Sequence, residues 1–432
     1  MGQRATTGAH AYGTDVIGAT TEFEADVRDL LVGTLRSAVK QELSVVGTDT
    51  LLRELVLGDT DAGEAIAPGM RKAGSLGGSI AGRAGRGWVS DDEGPSAPGA
   101  DGTDEDVRHQ AHREADEHEV DAAWREAQWL FGLGSRRSAP ESDRVLPGMT
   151  GALRACLLLA LGKARAEGTI SVRCRHVARA LLDLPDSRAR EALLLERLDL
   201  AAAATALDAL DASAPAETER PESRAVTHLR RAGTLGKSGN PLTRAITSWT
   251  SGSSVNGSPM VFVVTSEAVR QAVRCGRAAA EPVDLLLGIL ALDRALSVAG
   301  RSLPASLADA NSAADLMRRH GVRQASLVPS ASETQPAVLP DGSGDGGGDG
   351  GGGDSARVWL SAAADRIVAA ARLSAAEHGS PTVGTVHLLS ALLDEPATDD
   401  DERAGGAVVR LLAADQVDVA ALRAELSLRL GA

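Results

Sequence analysis

Aromatic residues make up only 2% of the 432-residue chain, so its cores must be built from Leu, Val and Ala, each burying little apolar area. The three cysteines, Cys156, Cys174 and Cys275, are odd in number and lack short spacings, which excludes a disulfide framework. Cys156 falls on an apolar helical stripe and is expected as a buried thiol. A basic balance is missing too. The formal net charge of -14 argues against nucleic acid and anionic membrane surfaces as partners. No apolar run approaches the ~18 residues of a membrane span, and no basic-then-apolar leader opens the chain. The expectation is a soluble cytoplasmic protein.

Catalytic signatures are equally scarce. A nucleotide-binding loop needs four residues between its first Gly and the Gly-Lys pair, but "GTLGKSG", Gly233 to Gly239, has two. There is no Gly-x-Ser-x-Gly elbow, and "GSLGGS" at 74–79 reads as a linker fragment. "HREADEHE" is not the HExxH of a zinc protease, and His109, His112 and His118 read as one charged, solvated helix. His176 and His387 lack ligand-spaced Cys, His or Asp partners and read as structural. Cys174 and His176 stand two apart near a helix start, where their side chains face differently. No enzyme, cofactor or metal site is expected.

What the chain does contain is helix, repeatedly. Phe23 to Leu43 places Phe23, Val27, Leu30, Leu31, Leu35, Ala38 and Val39 on a 3.6-residue period. "VVGTD" breaks it, Thr48 or Asp49 is placed to cap a second helix, and that helix runs to about Leu57. Residues 74–106 are Gly/Pro/Asp-rich and are expected as an insertion with no core. A charged helix from Glu105 to about Leu130, anchored by Trp124 and Trp129, and a linker over 132–147 come next. Met149 to Leu184 repeats the helix, turn and helix, with further helices near 187–197 and 199–210. Val264 to Asp293 gives the pattern a third time with a shorter turn, and Val358 to Asp394 a fourth. Two helices follow the fourth copy, at about 405–414 and 418–430.

The spacing is regular. Phe23 to Val46, Met149 to Val172 and Leu360 to Val383 are each 23 positions apart. Units of three or four short helices cannot bury a face alone, so pairs of units must share a core. The expected fold is all-α, with two domains. After a flexible 1–20, domain 1 spans 21–215, with repeats 21–73 and 147–215 around an insertion 74–146. A linker 216–257 leads to domain 2, 258–432, with repeats 258–330 and 355–432 around a flexible linker 331–354.

The second helix of each copy opens with a related motif: "GTDTLLRELV" at 47–56, "RCRHVARALL" at 173–182, "PVDLLLGILA" at 282–291 and "GTVHLLSALL" at 384–393. These motifs resemble the Clp N-terminal repeat, the all-helical substrate- and adaptor-receiving domain of Clp-type unfoldases, here without the ATPase modules. The resemblance implies a hydroxyl at the start of helix one and an acid at the start of helix two as ligand groups, phosphorylated arginine being one family ligand. Carried over, these are Glu24 with Asp49, following Phe23; Thr150 with Arg175; Thr265 with Asp284; and Ser361 with Val386. Only the third pair keeps both types. Thr48, Thr150, Thr265, Ser361 and Thr385 also read as simple caps. The function implied is binding without catalysis. The partners would be peptides, proteins or adaptors of a Clp system, phosphoarginine-bearing ones included, or a small hydrophobic Clp-directed ligand held by a decoy. The rival readings are a scaffold docking onto a Clp ATPase and an enzyme of unknown class.

Overall fold

The structure is a computed structural model. It describes residues 18–83, 87–90, 92, 104–135, 146–213, 222–235, 258–333, 358–396 and 406–431, with backbone only at 104–112, 134–135, 211–213 and 333. The described chain is all-α apart from six two-residue strands. Cα packing divides it into two compact units, an N-terminal one over 21–221 and a C-terminal one mainly over 222–346 and 358–432.

The N-terminal unit opens with β1 (Glu22–Phe23) and α1 (Ala25–Lys40). Val27, Leu30, Leu31, Leu35 and Ala38 form the buried stripe of α1, and Asp26 and Lys40 suit the dipole at its two ends. Then come β2 (Val45–Val46), α2 (Thr48–Leu57), α3 (Asp61–Ile66) and α4 (Met70–Arg83). Helix α5 (Asp104–Ser135) precedes a second series: β3 (Gly148–Met149), α6 (Gly151–Ala166), β4 (Ser171–Val172), α7 (Cys174–Asp183), α8 (Arg188–Leu195) and α9 (Leu200–Ser213).

The two series are joined by reciprocal parallel pairs. Strand β1 lies beside β4 with Phe23 opposite Val172, and β2 lies beside β3 with Val46 opposite Met149. The leading strand of each series thus pairs with the turn strand of the other. Glu24 N donates to Val172 O and Thr150 N to Val46 O, both at 3.0 Å. Beneath the seams Phe23, Leu31, Leu35, Leu51, Leu52 and Leu55 meet Leu153, Cys156, Leu157, Leu161 and Leu181 in one core.

Two expectations need correction here. The boundary at residue 73 falls inside a helix: α4 continues to Arg83 and puts Leu76 and Ile80 into the core, so "GSLGGS" is helical. The insertion also docks. Val120, Ala123, Trp124 and Ala127 of α5 join the core, and α5 packs on α1 and α6. Glu126 Oε1 accepts from Arg28 Nη1 at 2.6 Å with both side chains buried, and Arg154–Asp121 and Arg165–Asp116 flank that contact.

The C-terminal unit contains α10 (Arg224–Arg231), α11 (Pro259–Arg274), β5 (Ala279–Ala280), α12 (Pro282–Val298), α13 (Ala305–Ala308), a 3-10 turn (Asp309–Asn311), α14 (Ala313–Arg319) and α15 (Gln324–Glu333). After these come β6 (Trp359–Leu360), α16 (Ala362–Glu377), α17 (Thr385–Leu393), α18 (Ala407–Ala414) and α19 (Val419–Leu430). Strands β5 and β6 pair in parallel, Ala280 opposite Leu360. At the reciprocal position Ser258 Oγ donates to Val383 O at 2.7 Å. Helix α12 is apolar nearly all round and is buried accordingly, with Leu285, Leu286, Leu287 and Ile289 at its centre.

Parts of the expected linkers are ordered. Helix α10 seats Ala225, Val226 and Leu229 in the C-terminal core, and α15 extends to Glu333. Residues 18–20 are held within this unit, where Gly18 O accepts from Ala325 N at 3.0 Å and Thr20 O from Arg294 Nε at 2.9 Å. Residues 1–17, 214–221, 236–257 and 334–357, which carry the rest of those linkers, lie outside the described residues.

Two predictions test this packing. A Cβ at Gly63 would stand 2.2 Å from Leu55 O, whereas one at Gly74 meets nothing within 4 Å. Gly63→Ala is expected to cost ~1–3 kcal/mol in urea unfolding, and Gly74→Ala, in the open helix, to gain ~0.5–1 kcal/mol. Arg28→Met alone is expected to cost ~3–5 kcal/mol by removing the cation from a buried ion pair, and the pair Arg28→Met/Glu126→Leu to recover most of that loss.

Candidate functional site

The starts of helices one and two in each series lie at the seams between paired series. The N-caps of the four first helices are Glu24, Thr150, Ser258 and Ser361, and those of the second helices are Gly47, Arg173, Glu281 and Gly384. Each first cap stands 23 positions before its second. The third copy therefore has the same spacing as the others and no shortened turn.

That alignment relocates the third candidate pair. Thr265 lies inside α11, half-buried, with its hydroxyl donating back to Phe262 O at 2.9 Å; Ser258 holds the position assigned to it. The overlooked signal is Ser258-Pro259, an N-cap serine followed by proline at the first helical position. Asp284 occupies the third position of its helix, one beyond that of Asp49, Arg175 and Val386 and equivalent to His176 and His387.

Those three residues do the same work. His176 Nδ1 accepts from Arg173 N at 2.8 Å, His387 Nδ1 from Gly384 N at 3.1 Å, and Asp284 Oδ2 from Glu281 N at 2.9 Å. Asp284 is fully buried against Arg277. Burial pushes its carboxyl up to about 6 even though Arg277 opposes the shift. Among the described residues there is no cluster of three or more His, Cys, Asp or Glu that would hold a metal. His109 and His112 have side chains outside the described set, as does the "GTLGKSG" echo beyond Leu235. Burial, reinforced by Asp26, pushes the Cys174 thiol up, so it is a poor nucleophile.

At the seams the first N–H of the second helix meets an oxygen from elsewhere. Thr48 N donates to Asp92 Oδ2 at 2.7 Å, Cys174 N to Asp26 Oδ2 at 3.0 Å, and Thr385 N to Asn311 Oδ1 at 3.1 Å. In the third copy the position is Pro282, which has no N–H to satisfy.

The seam around Asp92 is the most developed. Three helix starts converge on it: α2 through Thr48, α6 through Thr150 and α8 through Arg188. Asp92 Oδ1 accepts from Thr48 Oγ1 at 2.8 Å and from Arg188 N at 3.1 Å, and Oδ2 accepts from Thr150 Oγ1 at 3.0 Å. Ala152 N donates to its carbonyl at 2.9 Å. Asp92 is fully buried with φ +67°, a left-handed conformation that Asp tolerates better than most residues. It came from a stretch expected to have no core, and nothing local in "VSDDEG" marks it.

Thr150 and Ser361 cap their helices, accepting from Leu153 N and Ala364 N at 3.2 Å, and Ser361 Oγ also donates to Glu281 Oε2 at 2.9 Å. Thr48 and Thr385 stand one residue inside their helices, and their hydroxyls accept from Ala189 N at 3.0 Å and Ala313 N at 3.4 Å. Phe23 is core and Glu24 is buried at the first cap. Arg175 is committed to Glu167 at 2.6 Å, and Val386 is buried. The strand pairs put Thr150 beside Thr48 rather than beside Arg175.

Burial lowers the His387 pKa, and the charge of nearby His378 acts in the same direction. Its folded value lies below its unfolded value of about 6.5. The neutral ring's stabilisation is thus complete above ~6.5 and is lost as pH falls from there through the folded value. His387→Gln, whose amide also reaches the cap, is expected to flatten that part of the profile. The check is the wild-type-minus-variant difference in urea midpoint between pH 5 and 7.5. No family model matches the chain, and no curated protein and no solved structure matches it.

Proposed function

We propose that the chain is a non-enzymatic receptor of the Clp N-terminal type, taking up unfolded polypeptide segments or adaptors of a Clp protease system. The observation that carries this reading is the reciprocal strand pairing, which sets helix starts of paired series against one another along a seam. Apolar side chains stand on the same elements: Trp359 of β6 is 55% exposed and Phe262 of α11 is 48% exposed, its ring against His228 with centroids 4.5 Å apart. Exposed aromatics of this size are the commonest anchors of protein recognition.

Phosphoarginine is the less favoured of the family's ligands for this chain. The hydroxyls of Thr150 and Ser361 already donate to carboxylates, Thr265 is not at a helix start, and Asp284 is enclosed with Arg277.

The full chain is expected to bind a labelled unfolded protein such as casein saturably in fluorescence anisotropy. Trp359→Ala is expected to weaken that binding at least ~10-fold, about 1.4 kcal/mol, with the unfolding midpoint unchanged. A phosphoarginine peptide titrated in parallel is expected to compete poorly. Absence of casein binding, or turnover of ATP by the purified chain, would overturn the proposal.

A further inference from the structure

Carboxylates in proteins rarely collect the starts of three helices. Asp92 does, accepting four hydrogen bonds of 2.7–3.1 Å, two from backbone N–H groups and two from threonine hydroxyls. Helices α2, α6 and α8 each bring the positive end of a dipole to the same point. The residue that uses this field belongs to none of them, since it lies between α4 and α5.

A second observation is independent of the helix ends. Asp49 is only 3% exposed, and its Oδ1 has no hydrogen-bond partner. That oxygen is aimed at the same place. A Cβ added to Gly47 would stand 2.5 Å from Asp49 Oδ1, 2.9 Å from Asp92 Oδ2 and 3.3 Å from Arg188 Nη1. Glycine leaves that point clear. Burial raises the Asp49 pKa, and the neighbouring Asp92 adds to the rise against Arg188. The Asp49 carboxylate is held on its other side by the backbone of Thr50 and of Asp49 itself, so Oδ1 is the oxygen left to take a further N–H.

We propose that this seam is a carboxylate-binding site of which Asp92 is the built-in occupant. An acidic peptide segment binds by replacing Asp92, its carboxylate on Thr48, Thr150 and Arg188 N and an adjacent backbone N–H on Asp49. The inference rests on the receptor reading for the ligand being a peptide, but the anion pocket stands without it. Binding at the seam and seating of Asp92 exclude one another, so Asp92 itself regulates access.

Chemical rescue in the full chain tests this. Asp92→Gly suits the left-handed backbone and empties the pocket. Hydrogen exchange at Thr48 and Arg188 is expected to rise at least ~10-fold in chloride, because both N–H groups lose their acceptor. Acetate at equal ionic strength restores most of the protection, and N-acetyl-aspartate methylamide, which carries the adjacent N–H, does so at lower concentration. Wild type and Asp92→Asn, whose pockets stay filled, gain nothing from either. If acetate and chloride act alike on Asp92→Gly, or acetate protects Asp92→Asn equally, there is no pocket and the proposal falls. If acetate rescues and the methylamide is no better, the peptide assignment falls and the anion site remains. Should Asp92→Gly fail to fold in chloride, its refolding yield in acetate against chloride is the readout, and equal yields overturn the site. Rescue without casein binding would fault the receptor reading alone.

Discussion

The first N–H of a buried helix has no partner within its own helix, and a buried donor left bare costs on the order of 1–3 kcal/mol. In this fold the second helix of every series starts beneath a seam, where water cannot meet that need. Three of the four starts are supplied from outside the helix, by Asp92, Asp26 and Asn311, and the fourth begins with Pro282 and has no donor to satisfy. The next unmet group, the N-cap N–H, is met from inside by His176, His387 or Asp284. Residues with unlike side chains therefore recur at one position because each offers an acceptor at the same height. The histidines are held there by backbone geometry, which removes any need to explain them by metal or catalysis.

The 23-residue spacing has a mechanical cause. When the leading strand of one series pairs with the turn strand of the other, and the reverse, the two separations must be equal or one pair slips out of register. Register in a two-residue ladder leaves no slack. In the N-terminal unit both pairs form, Phe23 with Val172 and Val46 with Met149. In the C-terminal unit one ladder is described, Ala280 with Leu360, and at the reciprocal position Ser258 Oγ donates to Val383 O, with the same spacing. The equality then reflects the length of the first helix and its turn as well as the ladder.

The helices and their 23-residue period could be read from the sequence because Leu and Val recur at helical spacing over 16-residue segments such as Ala25–Lys40. The third copy starts at Ser258, seven residues before the Thr265 that the sequence pattern suggests. "PMVFVV" carries β-branched residues, and a Gly/Ser-rich approach masks the Ser-Pro start. Helix α4 was hidden by four glycines among fourteen residues, tolerated because Leu76 and Ile80 are buried. The candidate ligand groups were assigned within single copies, but parallel pairing joins Thr150 to the neighbourhood of Thr48 and Asp49, which only tertiary structure decides. Asp92 had no local signal, because its importance comes wholly from three distant helix starts.

The acceptors at the seams differ in how freely each can leave. Asp26 sits in the first turn of α1, Asn311 in the turn leading to α14, and Glu281 at the cap of α12. Withdrawing any of these would disturb the helix that carries it. Asp92 is fixed in the N-terminal unit by its own hydrogen bonds and by the contacts of its near neighbours, such as Ser90 Oγ on Asp186 O at 2.6 Å. It belongs to none of the described helices. Among the described seams it is therefore the one where closing the fold and receiving a ligand use the same donors and exchange at modest cost. A receptor built on helix starts needs such a position, since the groups that recognise a partner are those whose desolvation the free protein must already have answered.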